Sequence, residues 1–377
     1  MDQLTRRRLF TRAAPAAGAG AIAGAALLRA PGAAAGSGAA TTHGATHETA
    51  ATTGAAGKAP QPGHGSRHAA FRGKVDHRKN GFDPHEILRD FDWGTTRKGP
   101  DGRTIREWEI VAADKEIEVA PGVVFPAWTY NGRIPGPTLR ANEDDLLRIT
   151  FINGSAHPHT MHFHGIHPSS MDGVAGQGAG DIQPGDRTVY EFDATPAGLH
   201  LYHCHVRPLA EHIAKGLYGA FIVDPKGGRE DADEMVMVLN GFDTNFDRAN
   251  EVYAVNTIGF TYMDTPIQVE KDKLVRIYLV NVLEYDLINS FHLHGNFFDW
   301  YPTGTGKTPS EFTDTVMFCQ GQRGIAEMRI PNLGKFMFHA HQSEFTELGW
   351  QSLFEVCERG RDGKLVCDLS ASTDRQG

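Results

Sequence analysis

Short apolar stretches that alternate with polar residues recur along the chain from about residue 82 onward. Examples are Arg-Glu-Trp-Glu-Ile-Val at residues 106–111 and Leu-Leu-Arg-Ile-Thr-Phe-Ile at residues 146–152. Gly, Pro, Asn and Asp separate these stretches, and patterns typical of long amphipathic helices are scarce. Strands of this length with frequent turns predict an all-β sandwich fold.

The pattern of the folded part occurs twice. The sequence His162-Phe-His164-Gly165 matches His292-Leu-His294-Gly295, and Gly198-Leu-His-Leu-Tyr-His203 matches Gly334-Lys-Phe-Met-Phe-His339. The offset of about 130 residues between these matches is the size of one β-sandwich. We therefore expect two Greek-key β-sandwich domains, domain 1 over residues 81–228 and domain 2 over residues 229–360, followed by a C-terminal tail at 361–377.

The N-terminal part of the chain has a different composition. Residues 6–8 are arginines, and an alanine-rich apolar run interrupted by glycines follows over residues 13–28. A positive start, an apolar middle and a small-residue end predict an export signal of twin-arginine type over residues 1–35, with an uncleaved membrane anchor as the alternative. Residues 36–80, rich in small and polar residues at their start, are expected to be a low-complexity linker.

Export by the twin-arginine route would place the mature protein in the periplasm or outside the cell, without membrane association after signal removal. The 377 residues carry a net charge of −9, with no basic stripe outside the extreme N-terminus. This charge argues against nucleic acid as a partner and favours small substrates or ions.

The four cysteines, Cys204, Cys319, Cys357 and Cys367, are too few and too scattered for a disulfide scaffold or a zinc ribbon. Cys357 and Cys367 flank a short polar segment and could be joined across a hairpin in an oxidising compartment. In that case, Cys319 is expected to be a lone buried thiol.

One two-histidine unit occurs four times, twice in each half of the chain. The units are His162-Phe-His164, His203-Cys-His205, His292-Leu-His294 and His339-Ala-His341. Because side chains alternate between the two faces of an extended strand, each unit directs both imidazoles to one side and its middle residue to the other. Imidazole suits copper, zinc and iron, whereas a thiolate between two such donors favours a blue copper centre coupled to a second copper site.

The first copper site is predicted inside domain 1. His159 lies three residues before His162, so it faces away from the two-histidine unit, and Cys204 likewise faces away from His203 and His205. His212 follows after a turn and is the expected third ligand, with Leu217 in the weak axial position. A cysteine with two histidines and a weak axial position forms the trigonal blue-copper arrangement.

The matching places in domain 2 hold Asn289 and Ala340, so that domain lacks the residues of a thiolate copper site. The eight remaining histidines exceed the needs of one copper ion and match a cluster of three, with two or three imidazoles per ion. Four come from each domain, so we expect the cluster to lie between a first-type and a second-type domain.

The chain resembles the multicopper oxidases, in particular the small two-domain members that keep the blue copper in the first of two cupredoxin-like domains. The resemblance covers roughly residues 83–356. It rests on His159-Thr-Met-His162-Phe-His164-Gly, on His203-Cys204-His205 followed by His212 and Leu217, and on the two domain 2 units. Many relatives have methionine in place of Leu217, and losing that ligand is expected to raise the reduction potential of the copper.

This resemblance implies a laccase-like reaction in which a small reducing substrate gives up four electrons, one at a time, and dioxygen is reduced to water. It implies one type 1, one type 2 and two type 3 coppers per chain. His212 would take up the electrons, because in the family this ring lies nearest the surface, and Asp172 matches the family's proton-supplying aspartate. By analogy with two-domain relatives, head-to-tail contacts would close a homotrimer with the clusters at its interfaces.

Two other functions compete with this interpretation. A copper nitrite reductase shares the two sandwiches and the blue site, but it needs one type 2 copper with three histidines and typically has an aspartate where this chain has His162. A copper carrier usually draws on methionine clusters, and the nine methionines here are not clustered. The reducing substrate stays open among phenols, aromatic amines and metal ions.

Overall fold

The computed structural model describes residue 71 and residues 73–367. The predicted export signal and most of the predicted linker lie outside the described residues, as do residues 368–377 of the tail. Within the described part, β-strands and a few short helices form two sandwiches. The predicted all-β fold class is therefore confirmed.

The first sandwich is built from ten strands, preceded or interrupted by three short helices. The strands are β1 (Phe91–Asp92), β2 (Thr95–Lys98), β3 (Thr104–Ala120), β4 (Val123–Tyr130), β5 (Thr138–Asn142), β6 (Leu146–Asn153), β7 (His162–Phe163), β8 (Arg187–Asp193), β9 (Gly198–His203) and β10 (Tyr218–Asp224). The helices are α1 (His77–Asn80), α2 (Pro84–Ile87) and α3 (Leu209–Ala214), and a 3-10 turn spans Ser169–Met171.

The second sandwich contains the remaining strands and two helices. The strands are β11 (Asp233–Phe242), β12 (Val252–Val255), β13 (Ile267–Glu270), β14 (Leu274–Asn281), β15 (Ile288–Leu293), β16 (Phe298–Pro302), β17 (Glu311–Thr313), β18 (Thr315–Cys319), β19 (Arg323–Arg329), β20 (Gly334–His339), β21 (Gln351–Arg359) and β22 (Leu365–Val366). The helices are α4 (Thr261–Asp264) and α5 (Ser343–Glu347).

Each sandwich consists of two mixed sheets. In the first, one sheet has the order β1-β5-β10-β9-β7 and the other the order β2-β3-β6-β8, with β4 paired to β3. In the second, the orders are β12-β11-β14-β19-β16-β17 and β13-β21-β20-β15-β18, with β22 paired to β21. Strands that are neighbours along the chain are therefore often assigned to opposite sheets.

Strand β6 shows how the alternating pattern produces the layers. Leu147, Ile149 and Phe151 are fully buried, whereas Arg148 and Thr150 between them are partly exposed. Burial of one such apolar side chain stabilises the fold by roughly 1.5–3 kcal/mol. A slip of one residue in register would exchange the two faces, so the apolar positions fix the strand register.

The register brings the two-histidine units together in pairs. His162 on β7 lies opposite His203 on β9 in the first sandwich. In the second sandwich, His292 on β15 lies opposite His339 on β20. Because directly opposed residues on neighbouring strands have adjacent side chains, each sandwich gathers its own four histidines at one end of a sheet.

The contact between the sandwiches is partly apolar. A core cluster distinct from the two sandwich interiors includes Ile117 and Leu201 from the first sandwich and Val236 and Tyr278 from the second. These four side chains are at most 1% exposed.

A mostly buried ionic network also joins the sandwiches. Arg140 from the first sandwich binds Asp224 at 2.7 Å and Glu234 of the second at 2.6 Å, between guanidinium nitrogens and carboxylate oxygens. Arg276 then contacts Glu234 at 2.9 Å and Glu327 at 2.5 Å. The guanidinium groups hold the pKa of the Glu234 carboxyl below its usual value, against the opposing effect of burial.

The chain before the first sandwich differs from the linker prediction at its end. Residues Asp76–Asn80 are ordered, with Asp76 capping helix α1 through a 3.1 Å hydrogen bond from the backbone N–H of Arg78. The Asn80 side chain donates to the carbonyl of Glu118 and accepts from its N–H, both at 2.9 Å. This buried amide attaches the segment to β3, so the end of the predicted linker is folded against the first sandwich at residues 76–80.

The cysteines near the C-terminus form the predicted disulfide, Cys357–Cys367, which joins β21 to the end of the β22 hairpin. Cys319, in contrast, is exposed, so the prediction of a buried thiol is wrong. It ends the edge strand β18, on which Val316 and Phe318 take the buried positions and Cys319 an outward one.

None of the described helices has the length and apolar character needed to cross a membrane.

The ionic network yields a stability prediction. Arg140→Met should lower the free energy of unfolding by about 3 kcal/mol, because it leaves the Asp224 and Glu234 carboxylates close together without their shared cation. The control is Arg97→Met, which removes a surface ion pair with Glu107 and should cost at most about 1 kcal/mol. Urea unfolding followed by circular dichroism measures both, and equal losses would show that the network contributes no special stability.

Candidate copper centres

Three side chains meet inside the first sandwich, and the parity of their positions predicts this for two of them, His159 and Cys204. The Sγ atom of Cys204 lies 3.2 Å from Nδ1 of His212 and 3.8 Å from Nδ1 of His159. The two Nδ1 atoms are 3.1 Å apart. One thiol and two imidazoles therefore point their donor atoms at a single small volume.

Separate elements hold these three residues. Cys204 directly follows β9, His212 lies on α3, and His159 forms an isolated bridge with Ile182. The backbone N–H of Thr160 donates to the Cys204 sulfur at 3.4 Å. The N–H of Cys204 donates to the carbonyl of Leu217 at 3.0 Å, so the residue predicted for the axial position is fixed beside the thiol.

The protonation states suit metal binding. Burial lowers the pKa of His159 to about 3 and that of His212 to about 4, so both rings are neutral and offer a lone pair near neutral pH. Burial raises the pKa of the Cys204 thiol to about 11, so a bound cation has to displace its proton. Two neutral imidazoles and one thiolate in a triangle fit a blue copper ion.

The His212 ring is the most accessible part of this site, although it is largely covered. The residue is 3% exposed, whereas His159, Cys204 and Leu217 are each 0% exposed. The indole of Trp128 covers both ligand rings, with centroid distances of 4.7 Å to His212 and 5.1 Å to His159. The exposed ring of His157 packs against Trp128 at 4.7 Å.

Four further histidines of the first sandwich form what we call quartet 1, His162, His164, His203 and His205. Their neighbouring ring centroids are 5.0 to 5.8 Å apart. The Nε2 atoms of His164 and His203 approach to 2.9 Å. Burial lowers the pKa of His164 to about 3 and that of His203 to about 4, which keeps both rings neutral.

Hydrogen bonds to the backbone orient two rings of quartet 1. Nδ1 of His162 lies 2.8 Å from the carbonyl oxygen of Asp172, and Nδ1 of His203 lies 2.8 Å from that of Cys204. A carbonyl only accepts, so each Nδ1 carries the proton and each Nε2 keeps its lone pair for a metal.

The second sandwich repeats this arrangement in quartet 2, His292, His294, His339 and His341. Nε2 of His294 lies 2.9 Å from Nε2 of His339, as in the matching pair of quartet 1. Nδ1 of His292 donates to the carbonyl of Asp314 at 3.0 Å. His294 and His341 are exposed in the single chain, whereas all of quartet 1 is buried or half-buried.

The two quartets are separate in one chain. Ring contacts join the histidines within each quartet, but among the described residues no ring contact joins one quartet to the other. Instead, quartet 1 opens into a cavity of about 260 Å³. The second-sandwich residues that line this cavity are Val282, Glu284, Gln320 and Gly321.

The second sandwich has no equivalent of the thiolate site, because other side chains fill the space. The N–H of Ala340 bonds the carbonyl of Trp350, just as Cys204 bonds Leu217. The Trp350 indole N–H donates to Oδ1 of Asn289 at 3.1 Å, and Asn289 occupies the place of His159. Trp350 is fully buried, so a large ring packs where the first sandwich gathers its ligands.

Asp172 lies beside quartet 1 on the turn after the 3-10 segment. Its Oδ1 is 2.9 Å from Nδ1 of His162 and 3.5 Å from Nε2 of His167. Gly173 has a φ of +68°, and a Cβ there would come within 2.1 Å of the Met161 carbonyl oxygen. A glycine is therefore required for the turn to approach the strand and hold Asp172 against the histidine.

Several residues that contribute to the sites were not found from the sequence. Trp128 lies on β4, Ser155 contacts His159 through its hydroxyl at 2.9 Å, and Trp350 fills the corresponding space in the second sandwich. The spacing of Ser155, four residues before His159, was the one cue available for this contact.

Residues 112–228 and residues 232–359 each match a family model described as multicopper oxidase. A crystal structure of a multicopper oxidase is 63% identical, with a TM-score of 0.74, and the match covers 75% of this chain and 100% of that chain. A blue copper oxidase from Nitrosomonas europaea is 27% identical, with a TM-score of 0.60, over 66% of this chain and 85% of its own.

A third relative is a copper-containing nitrite reductase from Neisseria gonorrhoeae, 28% identical over 281 residues. That match covers 68% of this chain and 67% of the relative. Both sandwiches are thus matched by the same family, and the 63% identity extends over the full length of one solved member. The chain belongs to the multicopper oxidase family and is a copper oxidoreductase.

Proposed function

We propose that this protein is a laccase-like oxidase, which couples four one-electron oxidations of a small reducing substrate to the reduction of dioxygen to water. The observation that carries the proposal is the pair of matching histidine quartets, each with two Nε2 atoms 2.9 Å apart. Eight imidazoles are too many for one metal ion and suit a cluster of one type 2 and two type 3 coppers. The buried triangle of His159, Cys204 and His212 suits one type 1 copper.

Copper bound at the thiolate site would accept electrons singly, and copper bound by the quartets would supply the four-electron reduction of dioxygen. The chain connects these functions through three consecutive residues. Cys204 belongs to the thiolate site, while its neighbours His203 and His205 belong to quartet 1. This continuous covalent path between the two sites is short. The sites lie on opposite faces of one strand end because successive side chains point to opposite sides.

Asp172 is the proposed source of protons for the reduction of dioxygen. Its carboxylate contacts His162 and His167, so it lies beside quartet 1 and close to a second titratable ring. A positioned acid near the reacting oxygen is needed because dioxygen reduction consumes protons.

The nitrite reductase alternative uses fewer of the residues present. That function requires one type 2 copper with three histidines and typically has an aspartate where this chain has His162. Here His162 is oriented by the Asp172 carbonyl to present Nε2 like its partners. Complete quartets in both sandwiches favour the oxidase.

The proposed assembly is a head-to-tail homotrimer in which quartet 1 of one chain meets quartet 2 of the next. Quartet 2 is open to solvent at His294 and His341 in the single chain. Exposed apolar side chains lie on the same sheet as quartet 2. Leu287, just before β15, is 90% exposed, Ile288 at the start of β15 is 44% exposed, and Met317 on the paired strand β18 is 64% exposed. An exposed apolar patch beside an incomplete metal site favours a subunit interface.

Export by the twin-arginine route, to the periplasm or the cell exterior, is also part of this proposal. Its support within the described residues is the Cys357–Cys367 disulfide, since such bonds persist mainly in oxidising compartments. The reducing substrate is proposed only as a class, namely phenols, aromatic amines or metal ions.

The thiolate assignment makes a spectroscopic prediction. Cys204→Ser should abolish the intense visible band and oxidase activity, because charge transfer to copper requires the thiolate, while the fold and the cluster coppers are retained. Visible absorption, copper analysis and circular dichroism measure these three properties. The control is Cys319→Ser, which changes an exposed thiol outside the site. A Cys204→Ser protein that stays blue would refute the assignment.

The assembly makes a prediction for the oligomeric state. Light scattering on copper-loaded protein should give three chains per particle, and Met317→Lys should shift the mass toward the monomer with loss of oxygen turnover but retention of the blue colour. The charge would be buried without a partner in the interface. Val366→Lys, at an exposed apolar residue on β22, is the control. A fully active, copper-loaded monomer would contradict the assembly.

The cluster makes a prediction that separates oxidase from reductase. Metal analysis should approach four coppers per chain, and the reduced protein should reoxidise rapidly with dioxygen but not with nitrite. His205→Ala and His294→Ala should each retain the blue band and stop oxygen turnover, because neither residue belongs to the thiolate site. Two coppers per chain, with nitrite as effective as dioxygen, would establish the reductase instead.

A further inference from the structure

The two imidazoles of the thiolate site are held differently on their outer sides. Nε2 of His159 lies 2.9 Å from Oγ of Ser155. The outer nitrogen of His212, also Nε2, has no hydrogen bond to any of the described residues. One ligand ring is therefore fixed by a side chain, and the other is held by packing and by helix α3.

Ser155, which contacts His159, also forms a hydrogen bond with a carboxylate. Its hydroxyl lies 2.6 Å from Oδ1 of Asp114, a residue 41 positions earlier on strand β3. The other carboxylate oxygen, Oδ2, accepts the backbone N–H of Ala156 at 3.1 Å. Asp114 itself lies directly opposite Trp128 in the β3–β4 pairing, so the strand that carries this carboxylate also positions the indole over the ligand rings.

The direction of each hydrogen bond follows from counting protons. A hydroxyl has one proton to donate and two lone pairs to accept with, whereas an ionised carboxylate only accepts. The Ser155 proton therefore goes to Asp114, and the lone pairs of Oγ receive the N–H of His157 at 3.2 Å and the N–H at Nε2 of His159. With its proton on Nε2, His159 has a free lone pair on Nδ1, the atom that faces Cys204.

We propose that Asp114 and Ser155 are positioning residues that fix the tautomer and orientation of His159 and increase its donor strength toward the type 1 copper. A hydrogen bond from the outer N–H of a ligand histidine toward a carboxylate raises the basicity of the ring. A more basic ring favours Cu(II) over Cu(I), so the pair lowers the reduction potential of the site. This opposes the expected effect of Leu217, which raises it.

A purely structural role for the pair is the competing explanation. Asp114 and Ser155 also close the turn at residues 153–157, through the hydrogen bonds to the backbone of Ala156 and His157. Loss of that turn would reduce stability, but it would not by itself change the balance between the two copper oxidation states. The reduction potential is therefore the measurement that separates the two roles.

The test is an anaerobic redox titration of the blue band in the intact, copper-loaded protein, with thermal unfolding measured in parallel. Ser155→Ala should shift the equilibrium toward Cu(I) by about tenfold, the lower end of the effect of such outer contacts on metal sites. This shift corresponds to about 59 mV for a one-electron couple. Asp114→Asn should shift it in the same direction by less, since the hydroxyl remains. Ser155→Thr, which keeps the hydroxyl, should have the wild-type reduction potential.

Thr244→Val provides a matched control, because Thr244 donates to the Glu251 carboxylate at 2.8 Å in a hydroxyl–carboxylate pair of the second sandwich. It should leave the potential unchanged. Wild-type potentials in both Ser155→Ala and Asp114→Asn, whatever their stability, would overturn the proposal. Asp114 is exposed, so its variant is expected to fold even if Ser155→Ala does not.

The inference rests on the proposed function only in requiring copper at Cys204. The titration excludes oxygen and does not involve the quartets, so it gives the same answer for an oxidase and a reductase. Failure of the oxidase proposal would appear instead in copper content and oxygen turnover.

Discussion

The alternation of side chains at the end of one strand determines how this protein is organised. His203 ends strand β9, and Cys204 and His205 follow it directly. The Cys204 sulfur lies in the sandwich core, whereas the rings of His203 and His205 contact each other in quartet 1. The thiol then meets His159 and His212 in the core, while the rings meet His162 and His164 at the sheet end. Two sites of different chemistry are adjacent because consecutive residues face opposite ways.

The second sandwich shows what the same backbone does without the thiol. Thr160 accepts the N–H of His205 at 3.0 Å in the first sandwich, and Ser290 accepts that of His341 at 2.7 Å in the second. The outward histidines are therefore presented alike in both. Inside, Ala340 and the Trp350 ring replace the ligands. Both sandwiches therefore present a histidine quartet on the outside, but only the first has the thiolate-site ligands on the inside.

Much of this arrangement could be predicted from local sequence. The parity of His159 and Cys204, the repeated units and the alternating strands depend on residues a few positions apart, and the structure brings those residues together. Contacts that span long stretches could not be predicted in this way. Asp114 meets Ser155 across 41 positions, and Trp128 reaches His212 from a different strand. The burial of His212 under that indole follows from tertiary packing, and so does the exposure of Cys319 on an edge strand.

The ion pairs between the sandwiches are likewise long-range contacts that local sequence does not predict. Arg140 and Glu234 are 94 positions apart and carry no motif, yet together with a shared apolar cluster they join the two domains. This contact leaves quartet 1 facing the β18–β19 turn of its own chain, where a Cβ on Gly321 would lie 3.6 Å from the His164 ring. Quartet 2 lies elsewhere on the chain. In the proposed head-to-tail assembly, a second copy of the chain would complete the proposed cluster.

Subunit complementation tests this central claim most directly. A chain with His205→Ala lacks a complete quartet 1, and a chain with His341→Ala lacks a complete quartet 2, but each keeps the thiolate site. In a head-to-tail ring, every mixed trimer contains one interface with two intact quartets, so coexpression in equal amounts should restore about a quarter of wild-type oxygen turnover. Mixed trimers that form, as shown by two affinity tags, but remain as inactive as the parent variants would contradict the account.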